Sequence, residues 1–185
     1  SRGLGDVYKR QTILSSCASR QLEEVTFRRA TISVPELMAT AGKYFRKVYK
    51  GNKAHIDFKI QPLEGRITGD WNQLRFLLEN LIDEACSVTL DGAVCLSARE
   101  DGEFMRFLFT DMRREKTREE LNQLFYPDLS RMTAGEKGEL YGTEYLVCKQ
   151  IIRDHDEFAG RRGCRINAEP GKEGGFTIYF TLPKK

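Results

Sequence analysis

One sequence feature constrains this chain more than any other: a single apolar stripe at helical spacing. Leu74, Leu77, Leu78, Leu81, Ile82 and Ala85 fall at i, i+3, i+4, i+7, i+8 and i+11. A helix over Asp70–Ser87 therefore presents one continuous greasy face that must be covered by a second layer. Asp70, directly after Gly69, is the natural N-cap. Composition agrees with a chain that can supply that layer. Of the 185 residues, 40% are hydrophobic and 31% charged, which is globular rather than disordered usage. No apolar run approaches the roughly 18–20 residues of a membrane span. The five cysteines, Cys17, Cys86, Cys95, Cys148 and Cys164, are odd in number, scattered and without a CxxC pair. They fit a reducing compartment and argue against a disulfide framework or a zinc site.

The remaining periodicities supply the partner layer. Helices are expected over Thr12–Ala30, Glu36–Tyr49 (entered at Pro35 and stopped at Gly51-Asn52), Thr117–Phe125 and Tyr141–Asp154. Short strands are expected at Thr31–Val34, His55–Ile60, Cys164–Ala168 and Phe176–Leu182. Ala93–Arg99 and Glu103–Thr110, joined through Asp101-Gly102, form the strongest hairpin signal. Mixed helices and hairpins imply an α/β (α+β) two-layer sandwich, one mostly antiparallel sheet with helices on one face.

The first eleven residues, SRGLGDVYKRQ, are read as a sequencing or assembly scar, because Asp6–Gln11 back-translates to a transposon end used in library preparation. The chain is thus expected to be the C-terminal fragment of a longer protein. Setting aside Arg2, Asp6, Lys9 and Arg10 leaves 27 basic and 26 acidic residues, a net charge of +1. Such a balance gives no electrostatic case for nucleic acid.

Four boxes carry a family resemblance. Asp70-Trp71-Asn72-Gln73-Leu74 leads into Asn80-Leu81-Ile82-Asp83-Glu84-Ala85. Asp111-Met112-Arg113-Arg114-Glu115 follows a strand. Leu124-Phe125-Tyr126-Pro127 precedes Arg131, and Leu140-Tyr141-Gly142-Thr143-Glu144-Tyr145 opens a helix. In this order they resemble the ATP-binding domain of sensor histidine kinases, a fold shared with type II topoisomerases and heat-shock 90 chaperones. The terminus, Ile166–Lys172 followed by Phe176–Pro183, is similar to the kinase terminus. The resemblance covers residues 31–185, and the Thr12–Ala30 helix resembles the second helix of a dimerisation hairpin.

The resemblance implies a set of site residues. Asn80 matches the magnesium ligand, a hard-oxygen donor of the kind Mg²⁺ takes. Asp111 matches the carboxylate that accepts a hydrogen bond from the adenine amino group. Glu84, Gly142, Thr143 and the lid residue Lys137 complete a nucleotide-binding set, and no catalytic residue is assigned. The implied cofactors are ATP and Mg²⁺. The implied partners are a second copy, through the upstream helical region, and a response regulator, with no nucleic acid and no membrane contact by this fragment. The implied location is cytoplasmic, with any tether upstream.

The boxes are also eroded. Glu84 replaces the second Asn, Ser87 stands where a phosphate-facing cation is usual, and Arg113 and Glu115 replace two glycines. Glycine there permits positive φ and close approach to a nucleotide, so two long side chains can fill the pocket instead. Glu144, in a box retaining one glycine of three, would repel phosphate. From the residues alone, Asn80 reads equally as a solvated polar residue, Asp111 as a turn cap and Glu84 as salt-bridged. Arg113, Arg114 and Lys116 read as a solvated charged turn, with phosphate binding as the lesser alternative. His55 and His155 read as structural. The overall reading is a kinase-like signalling domain with weakened or lost ATP binding and phosphotransfer. The alternative is an active domain transferring the γ-phosphate to a histidine upstream. A DNA-topology ATPase is disfavoured, because Phe76 stands where that group places its water-activating Glu.

Overall fold

The computed structural model describes residues 26–126 and 143–185. The helix expected over Thr12–Ala30 lies mostly outside the described residues. Its last part is corrected, since Thr26–Arg29 are not helical and Ala30 opens a strand. Strand β1 (Ala30–Ser33) leads directly into helix α1 (Val34–Val48). Ser33 caps that helix, its Oγ accepting from the Glu36 amide at 3.3 Å. Pro35 sits in the first turn, where no intrahelical N–H is needed.

Strand β2 (Ile56–Gln61) and strand β3 (Arg66–Gly69) follow, then helix α2 (Trp71–Cys86). Strands β4 (Gly92–Asp101) and β5 (Phe104–Asp111) form the expected hairpin, with Gly102 at a φ of 59°. Helix α3 (Arg118–Gln123) carries a capping box between Thr117 and Glu120. Helix α4 (Thr143–Phe158), then β6 (Ile166–Pro170) and β7 (Phe176–Pro183), close the fold. Helix α4 runs four residues past the expected end, so His155 lies within it rather than at its end.

Five strands form one sheet in the order β2-β4-β5-β7-β6. Every neighbouring pair is antiparallel except β2 with β4. Strand β3, which hydrophobic alternation does not announce, pairs antiparallel with β1 in a separate two-stranded sheet. The leucine stripe does what its spacing requires. Leu74, Leu77, Leu78, Leu81, Ile82 and Ala85 are buried in one core with Leu37 and Met38 of α1, Ile151 of α4, and the inward strand residues Leu96, Phe107, Phe109, Ile178 and Phe180. Burying one such side chain is worth about 1.5–3 kcal/mol. The Phe107 and Phe180 rings stack across β5 and β7 with centroids 5.0 Å apart.

Two polar clusters fix the helices to one another. Tyr44 of α1 and Tyr49, which caps its end, both donate to the Asp83 carboxylate of α2, at 2.8 Å and 2.5 Å to Oδ1. Burial, reinforced by Asp83, pushes both phenols well up, so they stay protonated donors. At the other end of α2, Asp70 is the cap expected, its Oδ1 accepting from the Gln73 amide at 3.1 Å. Its Oδ2 accepts from the Arg28 amide at 2.9 Å. Its own amide donates to Nε2 of the fully buried His155 at 3.0 Å, while His155 Nδ1 lies 2.8 Å from the Ile151 carbonyl. One neutral tautomer, protonated at Nδ1, satisfies both bonds. Asp70→Ala removes two amide acceptors and is expected to lower stability by about 2 kcal/mol. Urea unfolding should show the midpoint fall with an unchanged slope, and Asp70→Asn, which keeps one acceptor oxygen for the cap, should lose less than Asp70→Ala.

Candidate nucleotide-type site

Residues from two elements meet at the end of β5. Helix α2 brings Asn80 and Glu84 one turn apart, and β5 ends at Asp111, followed by the turn Met112–Glu115. Asp111 is 1% exposed. Its carboxylate is already saturated by its own chain. Oδ1 accepts from the Arg113 amide at 3.0 Å and from Arg113 Nε at 2.9 Å. Oδ2 accepts from Arg113 Nη2 and from Arg114 Nε, each at 2.9 Å.

The Arg113 side chain is as buried as Asp111. The rest of its fork is used on the end of α2 and the segment beyond it. Nη2 donates to the Ala85 carbonyl at 2.6 Å, and Nη1 donates to the Val88 and Leu90 carbonyls at 3.1 and 2.8 Å. This is five donor contacts from one guanidinium, three of them to backbone carbonyls. A helix C-terminus leaves carbonyls without intrahelical partners, and a cation is favourable there. Gly92 makes room: a Cβ at that position would stand 2.8 Å from Arg113 Cγ.

Arg114 closes the other side. Its Nη1 and Nη2 donate to Glu84 Oε1 and Oε2 at 3.1 and 2.9 Å, a bidentate pair, while its Nε holds Asp111. Burial lowers the Arg114 guanidinium's affinity for its proton, but Glu84 and Asp111 outweigh it and raise it above its ordinary value. Burial likewise pushes the Asp111 carboxyl up. The hydrogen bonds from Arg113 and the charges of Arg114 and Arg113 reverse that and hold it below the ordinary carboxylate value. Tyr145 of α4 is buried nearby; burial first, and then the Glu84 carboxylate, push its phenol well up.

The reading of Arg113, Arg114 and Lys116 as a solvated charged turn is thus corrected. The carboxylates of Asp111 and Glu84 draw both arginines inward, and Lys116 places its ammonium 5.1 Å from the centre of the Phe176 ring. Of the two glycine replacements, Arg113 fills the space beside Asp111. Glu115 turns away, its Oε1 accepting from the Gly175 amide at 2.8 Å. Glu84 is salt-bridged. Asn80 is fully buried rather than solvated. Its Nδ2 donates to the Phe76 carbonyl one turn back at 2.7 Å, and its Oδ1 accepts no hydrogen bond among the described residues. Lys137 and Gly142 lie outside the described residues, and Thr143 opens α4.

ATP with Mg²⁺ does not fit this donor set as it stands. The Asp111 carboxylate, where the resemblance puts the acceptor for an adenine amino group, already accepts from four donors, two on each oxygen, and the carboxylate one turn beyond Asn80 is neutralised by Arg114. Among the described residues, no three His, Cys, Asp or Glu side chains gather as a metal site. No described helix is long and apolar enough to cross a membrane.

No protein-family model matches the chain, and no curated protein matches it in sequence. Solved structures do match. The nucleotide-free catalytic domain of histidine kinase ThkA is similar with a TM-score of 0.64, covering 85% of this chain and 96% of that one at 18% identity. Acinetobacter baumannii histidine kinase AdeS is similar with a TM-score of 0.65, covering 97% of this chain and 78% of that one at 14% identity. Histidine kinase ThkA in complex with response regulator protein TrrA gives a TM-score of 0.74, covering 98% of this chain and 49% of that one at 17% identity. The chain therefore has the fold of histidine-kinase catalytic domains, with the expected mixed sheet and α+β architecture.

Two outcomes follow from the ion-pair geometry. Arg113→Ala strands a buried carboxylate and is expected to cost about 3–5 kcal/mol, whereas Asp111→Leu with Arg113→Met should cost well under the sum of the single changes. A double-mutant cycle by chemical denaturation measures this coupling. The second outcome concerns pH. Because the folded carboxyl of Asp111 titrates below its ordinary value of 3.8, its contribution is complete above that value and disappears as pH falls beneath it. Asp111→Asn should therefore lower stability at neutral pH and flatten the acid limb of a stability–pH curve, with the two curves converging at the lowest pH.

Proposed function

We propose that this chain is the nucleotide-binding-type domain of a sensor histidine kinase-like signalling protein, and that its ATP binding and phosphotransfer are weakened or lost. The carrying observation is the Asp111–Arg113 pair. A guanidinium donates to the carboxylate where the resemblance puts an adenine amino group, so the chain supplies its own occupant for that subsite. The absent phosphate-facing cation at Ser87 and the Arg114 bridge to Glu84 support the same reading. Fold alone does not settle activity, because function resides in the site. Signalling then proceeds by conformation and contact: a second copy pairs through the upstream helices, and a response regulator is the downstream partner. The location is cytoplasmic, with any tether upstream.

One observation favours the alternative, a domain that still binds Mg·ATP. The buried Asn80 Oδ1 lacks an acceptor bond among the described residues, which is costly unless something polar reaches it. Calorimetric titration of the intact chain with Mg·ATP separates the two. The expected result is no saturation at millimolar nucleotide. Arg113→Gly, which frees Asp111 Oδ1 while Arg114 keeps Oδ2, should gain measurable binding that Asp111→Ala then removes. Saturable micromolar binding by the unaltered chain, lost on Asn80→Ala, would overturn the proposal in favour of the alternative.

A further inference from the structure

The second half of α1 and the turn behind it carry Lys43, Arg46, Lys47, Lys50 and Lys53, all exposed. No Asp or Glu stands between Glu36 and Asp57. None of the five cations is salt-bridged to a carboxylate among the described residues. Lys43, Arg46 and Lys47 share one face of α1, and Lys50 follows in the turn just past the C-cap at Tyr49.

Beside this row lies a hollow of about 650 Å³, lined by Lys43, Phe45, Arg46, Lys47, Tyr49 and Lys50. A second hollow, of about 410 Å³, lies against the same Phe45 and Tyr49 and reaches Asn52 and His55. The two rings stack with centroids 6.0 Å apart, and Val48 between them in sequence is 48% exposed.

Helix-end electrostatics explains part of this. Arg46 and Lys47 sit in the last turn, where cations offset the negative end of the dipole. That leaves Lys43, Lys50, Lys53 and the hollows without a reason. The chain after its first eleven residues carries a net charge of only +1, so this concentration is local. We propose that this face of α1 docks an acidic helical segment of a partner protein. Its carboxylates would stand at i, i+3 and i+4 against Lys43, Arg46 and Lys47, and one apolar side chain would seat on Phe45 and Tyr49. A helix laid along a groove reads a partner through this spacing. An anionic bilayer fits less well, because interfacial binding needs a broad apolar face and Val48 is the sole large apolar side chain strongly exposed here.

The test uses the intact chain and fluorescence anisotropy with two labelled peptides of one composition. One is an acidic helix with Glu at the stated spacing and a single Phe; the other is its scrambled version. The ordered peptide is expected to bind at least tenfold more tightly than the scrambled one. Lys43→Glu with Lys50→Glu, which leaves Arg46 and Lys47 at the helix end, should reduce that binding tenfold or more at a nearly unchanged melting temperature. Raising salt from about 50 to about 500 mM should weaken it further. Equal binding of the two peptides, or indifference to the double charge reversal, overturns the proposal. So does tighter binding to phosphatidylserine vesicles or to a single-stranded oligonucleotide.

Discussion

A buried carboxylate needs hydrogen-bond donors, and here the donors come from the same turn. Asp111 and Arg113 are each about 1% exposed at the side chain, two residues apart, and joined by two side-chain bonds and one backbone bond. An isolated ion in such a place would carry a desolvation cost of several kcal/mol. The pairing offsets it only because every remaining position is filled. Arg114 takes the second side of the carboxylate, and the Ala85, Val88 and Leu90 carbonyls take the remaining guanidinium donors. The end of β5 and the end of α2 are thereby fastened together, so the arginine that closes the site also helps hold the two layers of the fold in register.

Much of this architecture is visible in local sequence because it depends on periodicity. The leucine stripe of α2, the Asp70 cap and the Asp101-Gly102 hairpin each express a rule that acts over a few residues. Strand β3 does not. Arg66-Ile67-Thr68-Gly69 holds one large apolar residue, and its extended form is set by pairing with β1, over thirty residues earlier. The same distinction separates the two readings of the arginines. Three cations in a short turn look solvated when judged locally. The burial of the two arginines is decided by carbonyls and a carboxylate more than twenty residues away in sequence. One signal was present: the glycine absent at 113 has a counterpart at Gly92, whose missing side chain is what admits Arg113.

The site residues inferred from resemblance share this mixture. Glu84 and Asp111 do converge, but on Arg114 rather than on an open hollow. Asn80 sits one helical turn from Glu84 yet turns its amide back to the Phe76 carbonyl. Two covalently attached guanidinium groups supply the Asp111 and Glu84 carboxylates with hydrogen-bond donors and compensating charge. The two carboxylates are thereby satisfied without a ligand, which they could not be alone at this burial.

That satisfaction has a consequence for how the domain can respond to anything. A nucleotide-dependent switch stores part of its conformational energy in a site that is incomplete until filled, and ligand shifts the population only through differential affinity. Under the proposed loss of ATP binding, that difference is small, because Arg113 and Arg114 already hold the site in a bonded arrangement. A signal would then enter elsewhere. Asp70 offers one such entry. It holds the amide of Arg28 at the start of the domain and the first turn of α2 at once, while His155 ties the same residue to α4. Asp70 thereby links the Arg28 backbone, the cap of the helix that carries Asn80 and Glu84, and α4 through one residue, a connection built without any nucleotide contact.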